Sequence, residues 1–114
     1  MAGDTSEWTI EFEGCAAESP ECRAASFGLS AAGKTALSVE VRVTSQIESI
    51  LARELGKQAL TESEREKILS VAGRRLIEEC LAKEGRVEPV LLLTSQIFLV
   101  PGAEKSLLRE CGLL

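Results

Sequence analysis

The chain has 114 residues, enough to close one hydrophobic core and too few for a second domain of ordinary size, so a single domain over residues 1–114 is expected. It is 45% hydrophobic and 27% charged, the balance of a folding chain and not of a disordered one. A formal net charge of -5 excludes a general attraction to phosphate backbones or anionic lipid, so neither nucleic acid nor membrane is an expected partner.

In chain order, the amino terminus places acidic residues where a secretory signal carries positive charge, which predicts a cytoplasmic protein. Trp8, Ile10 and Phe12 then alternate with Thr9, Glu11 and Glu13, the two-residue period of a half-buried first strand. Cys15 and Cys22 flank a loop containing Pro20, close enough in sequence to bridge or to share a metal. Reduced thiols are the expectation here, because chains of this compartment rarely keep disulfides. Ala25, Phe27 and Leu29 give a short second strand. Leu37, Val39, Val41 and Val43 alternate with Ser38, Glu40 and Arg42 as a third strand, paired antiparallel with the second.

At Ser45 the period becomes helical. Ser45 and Glu48 read as a capping box, Ile47, Ile50, Leu51 and Leu55 as an apolar stripe, and Gly56 as the stop. Thr61 and Glu64 repeat the box ahead of a longer helix that ends near Gly85. Its stripe is Ile68, Leu69, Ala72, Leu76, Ile77, Cys80 and Leu81. Charges four apart, Arg74 with Glu78, Arg75 with Glu79 and Glu79 with Lys83, mark its solvated side.

Val87 to Thr94 contains the unbroken run Val90, Leu91, Leu92 and Leu93, which predicts a strand inside the sheet and covered on both faces. Ile97 to Val100 reads as a further strand, and Ala103 to Cys111 as a last helix stopped by Gly112. The fold class that follows is α+β. It comprises a small, mostly antiparallel sheet of about four or five strands with two or three helices on one face, in the order β-β-β-α-α-β-(β)-α.

Two internal echoes accompany this pattern. Thr-Ser-Gln-Ile occurs at Thr44–Ile47 and Thr94–Ile97, and Arg-Glu-Leu-Gly at Arg53–Gly56 is answered by Arg-Glu-Cys-Gly at Arg109–Gly112. A degenerate strand-helix repeat accounts for them, but so does coincidence, which is the preferred reading because Thr and Ser are favoured at strand exits and helix starts anyway.

The chain contains no His and no Tyr, which excludes Ser-His-Asp and Cys-His constellations and any His-ligated metal within one chain. Gly28 to Thr35, Gly-Leu-Ser-Ala-Ala-Gly-Lys-Thr, matches the GxxxxGK[ST] string. Over those eight residues the chain resembles the P-loop nucleotide triphosphatases. That resemblance implies phosphate held by Gly28, Gly33 and Lys34 and magnesium by Thr35. A working P-loop needs a helix at its Lys-Thr end, whereas Leu37 to Val43 alternate as a strand, so a hairpin connection is expected instead and no cofactor with it. Glu11, Glu13 and Glu40 are ordinary exposed strand glutamates that in a convergent arrangement serve acid-base or magnesium chemistry.

The expected function is a non-enzymatic protein–protein interaction module or a homodimer, since so small a chain does not readily bury all its apolar residues alone. Leu107, Leu108, Leu113 and Leu114, or an edge strand, are the candidate contact surface. The alternatives are a small nucleotide- or metal-dependent enzyme using Gly28–Thr35 or the glutamates, and an acidic inhibitor of a basic nucleic-acid-binding partner.

Overall fold

Alternating apolar and polar residues give three antiparallel strands, β1 (Thr9–Cys15), β2 (Ala24–Ser30) and β3 (Leu37–Val43). The computed structural model describes residues 8–15, 23–94, 98 and 100–114. Helices α1 (Ser45–Glu54) and α2 (Glu62–Glu84) follow, then strand β4 (Val90–Leu93) and helix α3 (Ala103–Glu110). The sheet runs β1-β2-β3-β4; its first two pairings are antiparallel and β3–β4 is parallel. The α+β class holds, and among the described residues the sheet is mostly antiparallel as expected, made mixed by the one parallel pairing of β3 with β4.

Period-two alternation puts Ile10, Ala25, Phe27, Leu29, Val39 and Val41 on one face, where they form the core with Ile47, Leu51, Ile68, Leu69, Ile77, Leu81, Leu93 and Leu108. Helix α2 packs across all four strands. It approaches the sheet closely at Gly73, where an added Cβ would stand 2.7 Å from the Phe27 ring. The opposite face carries Thr9, Glu11, Glu13, Ser38 and Arg42, all exposed. On β1 the register slips between Phe12 and Gly14, a bulge that Gly14 permits at φ 99.

Helix α1 starts one residue earlier than its sequence suggests. Thr44, still extended at the end of β3, is the N-cap, and its Oγ1 accepts the Ile47 N–H at 3.4 Å. The capping box of Ser45 and Glu48 is therefore not made. Glu48 accepts instead from Arg65 Nη1 at 3.1 Å and lies 3.6 Å from Arg23 Nε. Helix α2 begins as its sequence predicts: Glu64 N–H donates to Thr61 Oγ1 at 3.1 Å and Thr61 N–H to Glu64 Oε1 at 2.8 Å. It ends at Gly85, whose φ of 69 closes the last turn onto Leu81 O. Among the ion pairs its charges suggest, Lys83–Glu79 forms, whereas Arg75 leaves Glu79 for Glu110 on α3.

The second echo has a geometric cause. Gly56 N–H bonds Arg53 O and Lys57 N–H bonds Ala52 O; Gly112 N–H bonds Arg109 O and Leu113 N–H bonds Leu108 O. Both helices thus end in the same two-bond glycine motif, which accounts for the glycine that the two segments share. The first echo extends less far. Thr44 and Thr94 follow paired residues, Val43 and Leu93, but Thr44 caps α1 directly whereas α3 begins after Gly102 with no side-chain cap. Residues 95–97 lie outside the described residues.

The expectation for β4 is corrected. The strand starts directly after Pro89, which cannot donate to a ladder, but it forms a sheet edge and not an interior strand, and Val90 and Leu92 are 45% and 57% exposed. Pairing of Glu40 with Val90 and of Arg42 with Leu92 turns both side chains onto the face that no helix covers among the described residues. Of Ile97–Val100, Phe98 and Val100 are described and neither is in a strand; Ile97 and Leu99 lie outside the described residues.

Candidate interaction surface

The Gly28–Thr35 string does not form a phosphate cradle. Gly28 sits inside β2, paired with Ser38 and Glu11, and residues 31–36 form the hairpin to β3, closed by Lys34 N–H on Ala31 O at 3.1 Å. Gly33 supplies the positive φ of 75 in that turn. Lys34 Nζ stands 5.1 Å from the centroid of the Trp8 ring, a cation–π contact from this turn to the residue before β1. Thr35 leads into a strand, so no helix N-terminus aims N–H groups at an anion. A carboxylate occupies the space above Gly28 instead: a Cβ there would meet Glu13 Oε2 at 2.9 Å.

The leucines of the chain end are likewise placed differently from the expectation. Leu107 and Leu108 are 2% and 0% exposed and belong to the core, so they are unavailable as a contact surface. Helix α3 spends its apolar side on α1 and α2. Leu113 is half-buried behind the closing motif and Leu114 is exposed.

Of the three glutamates on the uncovered face, Glu11 and Glu13 both lie beside Gly28, whereas Glu40 stands apart from them. Glu11 stands opposite Gly28, Glu13 sits in the β1 bulge, and Glu40 forms a close ion pair with Arg42. Among the described residues no group of three or more His, Cys, Asp or Glu is placed to hold a metal ion.

Cys15 is disulfide-bonded, which corrects the expectation of reduced thiols; its partner lies outside the described residues. The antiparallel pairing of β1 with β2 returns the chain to Cys15, opposite Ala25, and so brings the two ends of the intervening loop together. Cys80 and Cys111 are free thiols, both half-buried. Burial pushes the Cys111 thiol up to about 11 and its Sγ–H points to Lys67 O at 3.7 Å; burial also raises Cys80. Neither has the lowered pKa of a nucleophile.

An open groove of about 540 Å³ runs between α2 and α3, with Ala72, Leu76, Phe98 and Val100 along it and Arg75 at its rim. The Arg75–Glu110 pair bridges the two helices. Sequence periodicity does not reveal this groove, because only tertiary packing brings α2 beside α3 and the residues before it.

The two sheet edges differ in kind. On β1, Thr9, Glu11 and Glu13 face solvent and the Gly14 bulge interrupts the ladder, both devices that discourage another strand from joining. On β4 there is neither charge nor bulge, and Val90 and Leu92 stand exposed beside Glu40 and Arg42. Glu40 N–H donates to Pro89 O at 2.8 Å. Alternate residues of a parallel strand address the same neighbour, so Leu91 and Leu93 turn their backbone groups toward β3. Val90 and Leu92 turn theirs outward. Among the described residues no helix is long and apolar enough to cross a membrane. Comparison of the chain with protein-family models, with curated proteins and with solved structures finds no match, so the site stands on its own geometry.

Proposed function

We propose that the chain is a non-enzymatic protein–protein interaction module that works through the β4 edge. One observation carries this reading: β4 is an apolar edge strand with outward-turned backbone groups and two exposed aliphatic side chains, unblunted by charge or bulge. Such an edge is a template for a further strand, which gains affinity from main-chain hydrogen bonds and selectivity from alternate side chains. The enzyme alternative has no comparable support, since the P-loop-like string is a hairpin and both thiols are raised.

Size-exclusion chromatography with light scattering, over a concentration series with and without reductant, tests the reading alongside affinity capture, each for the parent and for Leu92→Lys. Association that Leu92→Lys removes supports it. Association indifferent to Leu92→Lys overturns the assignment of the surface. Magnesium-dependent binding of ATP or GTP that Lys34→Ala abolishes would overturn the functional class.

A further inference from the structure

Resting on that reading, we infer that the strand joining β4 is β4 of a second copy, antiparallel to the first and centred on Leu91. The inference starts from the backbone. The free edge offers the N–H and C=O of Val90 and Leu92. An antiparallel neighbour keeps both sheets facing the same way only if residues of equal parity oppose one another. A twofold axis at Leu91 meets that condition. It sets Val90 against Leu92 of the second copy and Leu92 against its Val90, two pairs that exchange all four outward groups on each chain.

The side chains agree with this register. Each exposed aliphatic residue meets the other's aliphatic partner on the uncovered face. The neighbouring charges are also complementary. Arg42 flanks Leu92 and Glu40 flanks Val90, so each cross-sheet row runs from an arginine through two apolar residues to a glutamate of the second copy. No like charges oppose across the new ladder. The joined sheet would have eight strands, with the bulged, glutamate-bearing β1 at both outer edges. A four-residue ladder buries far less than the roughly 800 Å² per partner of a standard interface, so the dimer is a weak, concentration-dependent one.

Cysteine cross-linking in the full chain, with Cys80 and Cys111 changed to Ser, tests the geometry. Residues opposed at the axis as a non-hydrogen-bonded pair have Cα atoms about 4.5 Å apart, within disulfide reach. Leu91→Cys is therefore expected to give a cross-linked dimer under mild oxidation. Leu92→Cys, two residues off its own symmetry mate, is expected to give several-fold less. Leu92→Lys is expected to raise the dimer dissociation constant about tenfold or more, because it spoils two symmetric pairs at once. Circular dichroism checks that each variant folds. Equal cross-linking at 91 and 92, or none at 91, overturns the symmetric pairing. A chain that stays monomeric at all concentrations also overturns it. If Leu92→Lys then abolishes binding to another protein, the interaction reading survives; if it affects no binding, both fall.

Discussion

Replacing Gly73 with Ala sets two effects of known sign against each other. In a helix interior Ala is more favourable than Gly by about 1 kcal/mol, so propensity alone makes the variant more stable. At this position, however, the new Cβ would stand 2.7 Å from both Cε1 and Cζ of Phe27 and 3.5 Å from Val41 Cβ. Phe27 is fully buried and its ring lies against Phe12, with centroids 5.5 Å apart and planes at 57°. The ring is rigid and cannot swing clear, so α2 must lift or the Phe12–Phe27 contact must shift. Overpacking of this kind costs about 1–3 kcal/mol, and the rigidity of both neighbours places it in the upper half of that range. Gly73→Ala should thus be destabilised by about 1–2 kcal/mol net, a fall in Tm of roughly 4 °C or more. Urea unfolding followed by far-ultraviolet circular dichroism measures it. Gly28→Ala is the control: the new Cβ meets the flexible end of the exposed Glu13, which swings aside, so its stability should stay within about 0.5 kcal/mol of the parent. If Gly73→Ala proves more stable by about 1 kcal/mol, the close approach of α2 to the sheet is wrong as described.

Three further perturbations probe separate parts of the fold. Thr61→Ala removes the N-cap of α2 and should cost about 1 kcal/mol in urea unfolding. The Glu64 carboxyl is held below its ordinary 4.5 by the hydrogen bond from Lys57 Nζ and then by the Thr61 backbone N–H. Its contribution is therefore present above pH 4.5 and lost as pH falls through the folded value, so the gap between parent and Glu64→Gln should close in acid. Arg65→Ala strands the buried Leu60 carbonyl and one oxygen of Glu48 and should cost about 2 kcal/mol, measured by thermal unfolding. The Cys111 thiol, raised from 9.0 to about 11 by burial, should alkylate more slowly at pH 8 than a small-molecule thiol. Because its folded value is the higher one, its contribution is intact below pH 9.0 and lost as pH rises through about 11. Cys111→Ser should flatten that alkaline decline.

The sequence makes the helices and hairpins legible because their determinants are local. Thr61 and Glu64 announce the start of α2, Gly85 its end, and Gly33 the β2–β3 turn, each through a backbone requirement that few residues meet. The misplacement of β4 has an equally specific cause. Val90 to Leu93 is apolar throughout, and a run without alternation records that either face can be buried, not that both are. Which face the helices cover depends on the parallel register with β3, a long-range property. The terminal leucines show the converse: Leu107 and Leu108 look like surplus apolar surface until α1 and α2 are in place to cover them. Gly73 left no signal at all, since a helical glycine next to Ala72 reads as a tolerated weakness. Its necessity appears with Phe27 beneath it.

The parallel pairing of β3 with β4 also orders events during synthesis. Strands β1 to β3 are joined by short connections and emerge first, whereas β4 reaches the growing sheet only after α1 and α2 have been made. Until β4 is made, β3 has no strand on its second side. It carries Glu40 and Arg42 at the positions that later adjoin Val90 and Leu92, and charges on a margin discourage pairing with another strand. The ion pair beside β4 thus puts charge on the one strand margin that chain order leaves uncovered until last.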